Sequence, residues 1–150
     1  MGHTYTHLLI HLIFGTKGRI PYLRPSVRTN VLAYMAGIAR QIGGREVLIN
    51  GMPDHVHIYL QLPPVINVAD AVKAIKAHSS KWAHEERILP RSFAWQTGYA
   101  AFSVSPSNAG KTIRYIQDQE SHHRKISFQD EYIAFLKKHG IAYDERFVWD

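Results

Sequence analysis

Cysteine is missing from all 150 residues, which excludes a disulfide framework, a thiolate-held zinc or iron–sulfur centre and a thiol nucleophile. Acidic side chains are the scarcer charge. Twelve Asp and Glu stand against 18 Lys and Arg, a formal net charge of +6 with ten histidines in reserve. That balance points to a polyanionic partner without naming it. Long apolar runs are lacking too: the longest near the start, Leu8 to Phe14, is interrupted by His11 and is far too short to span a membrane. No segment joins a basic start, a long apolar centre and a small-residue cleavage site, so no signal peptide is read and a cytoplasmic location is expected. Repeats, low-complexity tracts and long linkers are absent. What remains is 45% hydrophobic and 20% charged, too apolar for disorder and of a length that suits one domain over 1–150.

The apolar residues alternate between two periods. Tyr5 to Phe14 reads as a strand ending at Gly15, followed by a basic turn with Lys17, Arg19 and Arg24. Val27, Val31, Tyr34, Ile38 and Ile42 recur at helical spacing from Ser26 and stop at Gly43-Gly44. Glu46 to Asn50 and His55 to Leu62 read as strands around a turn through Asn50-Gly51-Met52-Pro53-Asp54, and Pro63-Pro64 ends the second. Asn67 is placed to cap the next helix with Asp70 as its reciprocal partner. Val68, Val72, Ile75 and Trp82 make that helix's apolar stripe, and Lys73, Lys76 and Lys81 lie off it. Tyr99 to Val104 is a fourth strand. A helix then opens at Pro106 or Ser107 and runs to about His123, and Ser127 caps another that ends at Gly140. The order β-α-β-β-α-β plus two helices predicts an α+β fold: a ferredoxin-like split βαβ, an antiparallel sheet with helices on one face, plus C-terminal helices that carry Tyr115. Many functions use that topology.

Chemistry is concentrated in two segments. In Pro53-Asp54-His55-Val56-His57-Ile58-Tyr59-Leu60 the strand period sends His55 and His57 to one face and Val56 and Ile58 to the core. Two imidazoles one pleat apart can share a divalent cation; the plainer alternative is two hydrogen-bonded histidines on a solvated face. Tyr at position 59 rules out the five-residue histidine-triad pattern of nucleotide hydrolases. In the second segment, Ala109, Ile113 and Ile116 share one helix face, while Tyr115 and Gln119, one turn apart, share another. A phenol and an amide there could serve as nucleophile and metal ligand, or Tyr115 could simply pack against the sheet.

The other candidates carry less. Gly110-Lys111-Thr112 has the end of a phosphate loop, but its first required Gly is Ser105. His3, His7 and His11 recur every four residues, which strand alternation explains without a ligand set. His122-His123-Arg124-Lys125 reads as a solvated, phosphate-facing helix end, with His122 a minor candidate for a third metal ligand. Ser79-Ser80 and Ser103 lack a motif for a serine nucleophile. Lys17, Arg19, Arg24, Lys73, Lys76, Lys81 and Arg124 suit phosphates, and Trp82, Phe93, Trp95 and Tyr99 suit stacked bases. Charge runs are as often only a solvated face.

Together these segments resemble the HUH (His–hydrophobic–His) endonucleases. The closest likeness is to the single-tyrosine TnpA-type transposases of the smallest bacterial insertion sequences, the transposase IS200-like superfamily. The likeness runs from Thr6–Phe14 and Thr16-Lys17 through Met52–His57, Trp95–Ser105, Tyr115–Gln119 and His122–Arg124 to Asp144–Phe147. The resemblance implies a DNA transposase that nicks and rejoins single-stranded DNA at hairpin-flanked ends. It implies Tyr115 as nucleophile forming a 5′-phosphotyrosine, and His55, His57 and Gln119 holding Mg²⁺ or Mn²⁺. It also implies a homodimer working without a nucleotide cofactor. The rival readings are a domesticated relative that processes palindromes, and a non-catalytic module that binds single strands on its sheet.

Overall fold

The computed structural model describes residues 2–150. Strands β1 (Leu8–Gly15), β2 (Arg45–Met52), β3 (His55–Leu62) and β4 (Ala100–Val104) form an antiparallel sheet in the order β2-β3-β1-β4. Helices α1 (Pro25–Gln41) and α2 (Val68–Glu85) are the two crossovers, so the ferredoxin-like split βαβ is present. After β4 come α3 (Ala109–Gln117), α4 (Gln119–His122) and α5 (Phe128–Lys138). No helix among the described residues is long and apolar enough to cross a membrane.

Strand alternation divides the interior in two. Leu12 and Phe14 of β1 with Val56, Ile58 and Leu60 of β3 meet Val31, Met35 and Ile38 of α1 and Val72 and Ile75 of α2. The opposite face is also covered. Ile13, Ala100 and Phe102 pack on Phe128, Tyr132 and Leu136 of α5, and Leu9 and Tyr59 pack on Ile116 of α3. The sheet is therefore the middle layer, with α1 and α2 on one side and the C-terminal helices on the other.

Caps read from the sequence are in place. Asn67 Oδ1 accepts from the Asp70 amide at 2.7 Å, and Ser127 Oγ accepts from the Asp130 amide at 3.1 Å. The reciprocal half at Asn67 takes another form: its Nδ2 donates to the Asp70 carboxylate at 3.1 Å. The stripe of α2 is shifted. Ala71, Val72, Ile75, Ser79 and Ala83 are its buried residues, and Trp82 is half-buried, stacked on Tyr34 of α1 with centroids 4.3 Å apart.

One expected helix is broken. In place of a continuous helix to about His123, the structure has a 3-10 turn at Pro106–Asn108, then α3, then a turn at Asp118 before α4. Asn50 reaches from β2 to donate its Nδ2 to the carbonyls of Ile116 at 2.7 Å and Gln117 at 3.3 Å. Those acceptors are satisfied by a side chain where the helix would otherwise continue. The break redirects Gln119 inward, where it is fully buried.

Candidate active site

His55 and His57 lie on β3, opposite Gly15 and Ile13 of β1. Their face is not solvated: both rings are buried beneath α5, at 1% and 0% exposure. Gly15 makes this cover possible. A Cβ there would stand 2.8 Å from the Phe128 ring and 3.1 Å from the Asp54 carbonyl. With no side chain in the way, Phe128 stacks on His55 at 4.1 Å and 9°.

Glu131, one turn into α5 and 1% exposed, lies at the centre. Its Oε1 is 2.9 Å from His57 Nε2, 3.1 Å from His123 Nε2 and 3.4 Å from His55 Nε2. Its Oε2 accepts from the Tyr115 hydroxyl, which also meets His122 Nε2 at 3.0 Å. Gln119 Oε1 is 3.0 Å from His123 Nε2, and Gln119 Nε2 donates back to the Tyr115 carbonyl at 3.2 Å. Tyr115, His55, His57 and Gln119, drawn from β3, α3 and α4, are thus brought to one place.

Each ring is aimed by its second nitrogen. His123 Nδ1–H donates to the Ile126 carbonyl at 2.8 Å, which turns Nε2 to the cluster. His55 Nδ1 is 2.7 Å from Asp54 Oδ1. His57 Nδ1 is 2.8 Å from Nε2 of His11, a buried residue of β1.

The electrostatics follow from burial and these contacts. Burial would raise the Glu131 carboxyl, but hydrogen bonds from His123, His55 and His57 outweigh it and hold the group well below the carboxylate range. Burial opposes charge on His55, yet Asp54 and Glu131 raise its pKa above the ordinary value. His57 is lowered, chiefly by burial. Burial, with His57 beside it, pushes His11 down to about 3. Burial and the Glu131 charge push the Tyr115 phenol up, so it stays protonated and donates.

One donor atom from each of His55, His57, His123 and Glu131 lies within 4.8 Å of the other three. Imidazoles converging on a dry, ionised carboxylate fit a divalent cation, and the Gln119 oxygen adds another donor at the rim. Sequence reading found two of these four and missed His123 and Glu131. His123 belongs to the segment expected to be a solvated helix end, but it is 7% exposed, because the chain folds back between α4 and α5. The histidine selected there as a minor ligand candidate, His122, instead contacts Tyr115. A carboxylate four residues after the Ser127 cap was the available signal for Glu131.

The basic candidates scatter. Arg124 is exposed just past α4, and Lys17 and Arg24 are exposed near the 3-10 turn at Lys17–Arg19, where Arg19 lies 5.1 Å over the Trp149 ring. Lys73, Lys76 and Lys81 are on α2, across the sheet from Tyr115. Lys81 pairs with Glu85 at 3.8 Å. Lys76 gives its N–H groups to the carbonyls of Gln96, Thr97 and Gly98, and burial lowers it to about 8. Lys111 and Lys138 line a cavity together with Tyr115.

Residues 4–119 match the family model described as Transposase IS200 like. The chain belongs to that family.

It is 29% identical over 123 residues to the ISDra2 transposase TnpA of Deinococcus radiodurans, covering 79% of this chain and 87% of that protein. A crystal structure from Deinococcus radiodurans R1, described as that of a transposase, superposes with a TM-score of 0.61 at 30% identity, over 79% of this chain and 96% of the other. A REP-associated tyrosine transposase bound to a REP hairpin superposes with a TM-score of 0.60, over 84% of this chain and 76% of that one; at 14% identity this likeness concerns the fold. The family match ends at Gln119, so His122, His123 and Glu131 come from the segment after it.

Proposed function

We propose that this IS200-like transposase cuts and rejoins single-stranded DNA through a 5′-phosphotyrosine on Tyr115, with a divalent metal held by His55, His57, His123 and Glu131 and assisted by Gln119. The observation that carries this reading is the shared carboxylate: Glu131 meets His57 through one oxygen and takes the Tyr115 hydroxyl hydrogen on the other. The nucleophile and the cation donors are therefore one hydrogen-bonded unit.

Tyr115 Oη bonds to phosphorus as the P–O3′ bond breaks; Glu131 Oε2 and His122 Nε2 position the hydroxyl, which gives up its proton, and the departing O3′ takes one up. A 3′-hydroxyl departs. The phosphodiester energy is kept in the tyrosyl ester, so the reverse attack reseals a strand without a nucleotide cofactor. A bound ion would supply Lewis-acid polarisation of a phosphate oxygen. The nitrogen-rich donor set favours Mn²⁺ over Mg²⁺. Asp54, His11 and the Ile126 carbonyl hold the imidazoles in their ligand orientation.

The substrate proposed is a hairpin-flanked end acted on in the cytoplasm. The hairpin in the REP-associated structure supports that form of DNA. Arg124 is the sequence-chosen cation that fits this reading best. A homodimer is proposed through the outer edge of β4, which has β1 on one side only. The deciding experiment incubates the protein with 5′- and 3′-labelled hairpin oligonucleotides and Mn²⁺ or Mg²⁺. A covalent 5′-linked adduct is expected with the native chain and not with Tyr115→Phe. An adduct surviving that substitution would remove Tyr115 from its role.

A further inference from the structure

A cavity of about 360 Å³ opens directly beside the Tyr115 hydroxyl, between α3 and α5. Its walls include Lys111 and Thr112 from α3, and Ala134, Phe135 and Lys138 from α5. A second hollow of about 240 Å³ shares Lys111, Thr112, Phe135 and Lys138 and continues to Ser103 and Ser105 at the β4 edge. The two make one groove from the phenol to the rim of the sheet. Lys111 and Lys138 are exposed and have no carboxylate partner among the described residues. The one acidic group in the wall, Glu131, is engaged by the histidines and Tyr115. The volume lies at the low end of the roughly 300–1,000 Å³ of small-molecule sites, which suits one nucleotide and not a duplex.

We propose that this groove seats the nucleotide that stays linked to Tyr115 through its 5′ phosphate, with Lys111 and Lys138 at the phosphate and sugar and Phe135 and Ala134 against the base. The proposal rests on the phosphotyrosine reading for its place in the reaction. Tyrosyl transfer releases the 3′-hydroxyl side and retains the 5′-phosphoryl side, so the retained nucleotide needs a site that touches the phenol. This cavity touches it. Apolar Ala134 and Phe135 beside two exposed lysines match a base with its phosphate. The seat is thus formed by the C-terminal helices, on the opposite side of the sheet from the lysines of α2.

The test uses thymidine 5′-monophosphate, which cannot be cleaved, and the full-length protein in EDTA, followed by backbone amide NMR shifts. Perturbations are expected at residues 111, 112, 134, 135 and 138. The Lys111→Ala/Lys138→Ala double variant should raise Kd by about fivefold, while Arg40→Ala on α1 should leave it unchanged. Ala134→Trp, which fills the cavity, should remove binding; a thermal melt confirms its fold, and the two exposed lysines provide the test if it does not fold. Shifts mapping to α2, or a Kd indifferent to both lysines, overturn the proposal. The two readings separate cleanly. Nucleotide binding in the groove without any Tyr115 adduct on hairpin DNA would sink the phosphotyrosine reading alone. An adduct with nucleotide shifts elsewhere would sink the groove alone.

Discussion

Each imidazole of the site is aimed by the partner of its other nitrogen, and those partners differ in kind: a carboxylate for His55, a carbonyl for His123 and a fourth imidazole, His11, for His57. With His57 Nε2–H directed at Glu131, its Nδ1 accepts from His11 Nε2–H. Cation binding at Nε2 would require that proton to move to Nδ1, with His11 becoming the acceptor. His11→Ala is therefore expected to weaken Mn²⁺ binding by about 10–100-fold in calorimetry, and Glu131→Gln by at least as much. Unchanged affinity in both would detach these residues from the metal. His11 also predicts a pH dependence for the protein in EDTA. Its folded pKa of about 3 is below the ordinary 6.5, so the unfolded chain binds more protons between those values. Stability is then full above pH 6.5 and falls on acidification, by about 1.4 kcal/mol per pH unit from this residue alone. His57, lowered in the same way, adds to the slope, while His55, with a raised pKa, acts only above 6.5. Urea melts from pH 7 to pH 5 should show this fall and should show less of it in His11→Leu. A flat profile would contradict the buried neutral state.

At the scale of elements, the geometry of the site depends on two junctions. Asn50 clamps the end of α3 through the Ile116 and Gln117 carbonyls, and Ser127 caps α5, the helix that carries Glu131. Ser127→Ala is expected to cost about 1 kcal/mol by thermal or denaturant melting. Asn50→Ala should cost about the same in stability yet reduce adduct formation out of proportion, because it frees the turn that sets Tyr115 against Gln119. Equal losses in stability and adduct rate would assign Asn50 to the fold alone. The caps of α2 and α5 and β3 itself were legible because they depend on neighbours within four residues: Asn67 with Asp70, Ser127 with Asp130, and the alternation from His55 to Leu62. The break at Asp118 was not, because the group that completes it is Asn50 of β2, 66 positions before the Ile116 carbonyl it meets.

Across the whole molecule, the phenol lies beside its own chain's histidines, with Tyr115 and His57 ring centroids 5.8 Å apart. If the proposed dimer forms at β4, catalysis by this arrangement is in cis. Mixing Tyr115→Phe with His57→Ala should then restore no adduct, since every site carries one lesion. Partial recovery would mean that the tyrosine helix is exchanged between subunits, and a monomer by light scattering would remove the dimer itself.

Much was decided locally. Composition excluded thiol chemistry, the period of two put His55 and His57 on one side of β3, and the period of 3.6 set Tyr115 off the Ile113–Ile116 stripe. Which side of the sheet would be dry was decided only by packing. Alternation assigns residues to faces but does not say what covers each face. Here Gly15 leaves room for Phe128 over His55, and α5 brings Glu131 down among the imidazoles. The same docking turned His123 inward from a segment that reads as polar, and it placed Lys111 and Lys138, not the α2 lysines, beside the phenol. Contacts between β1, β3 and α5 join residues as far apart as His11 and Phe135, 124 positions, and one-dimensional spacing carries no information about which of them meet.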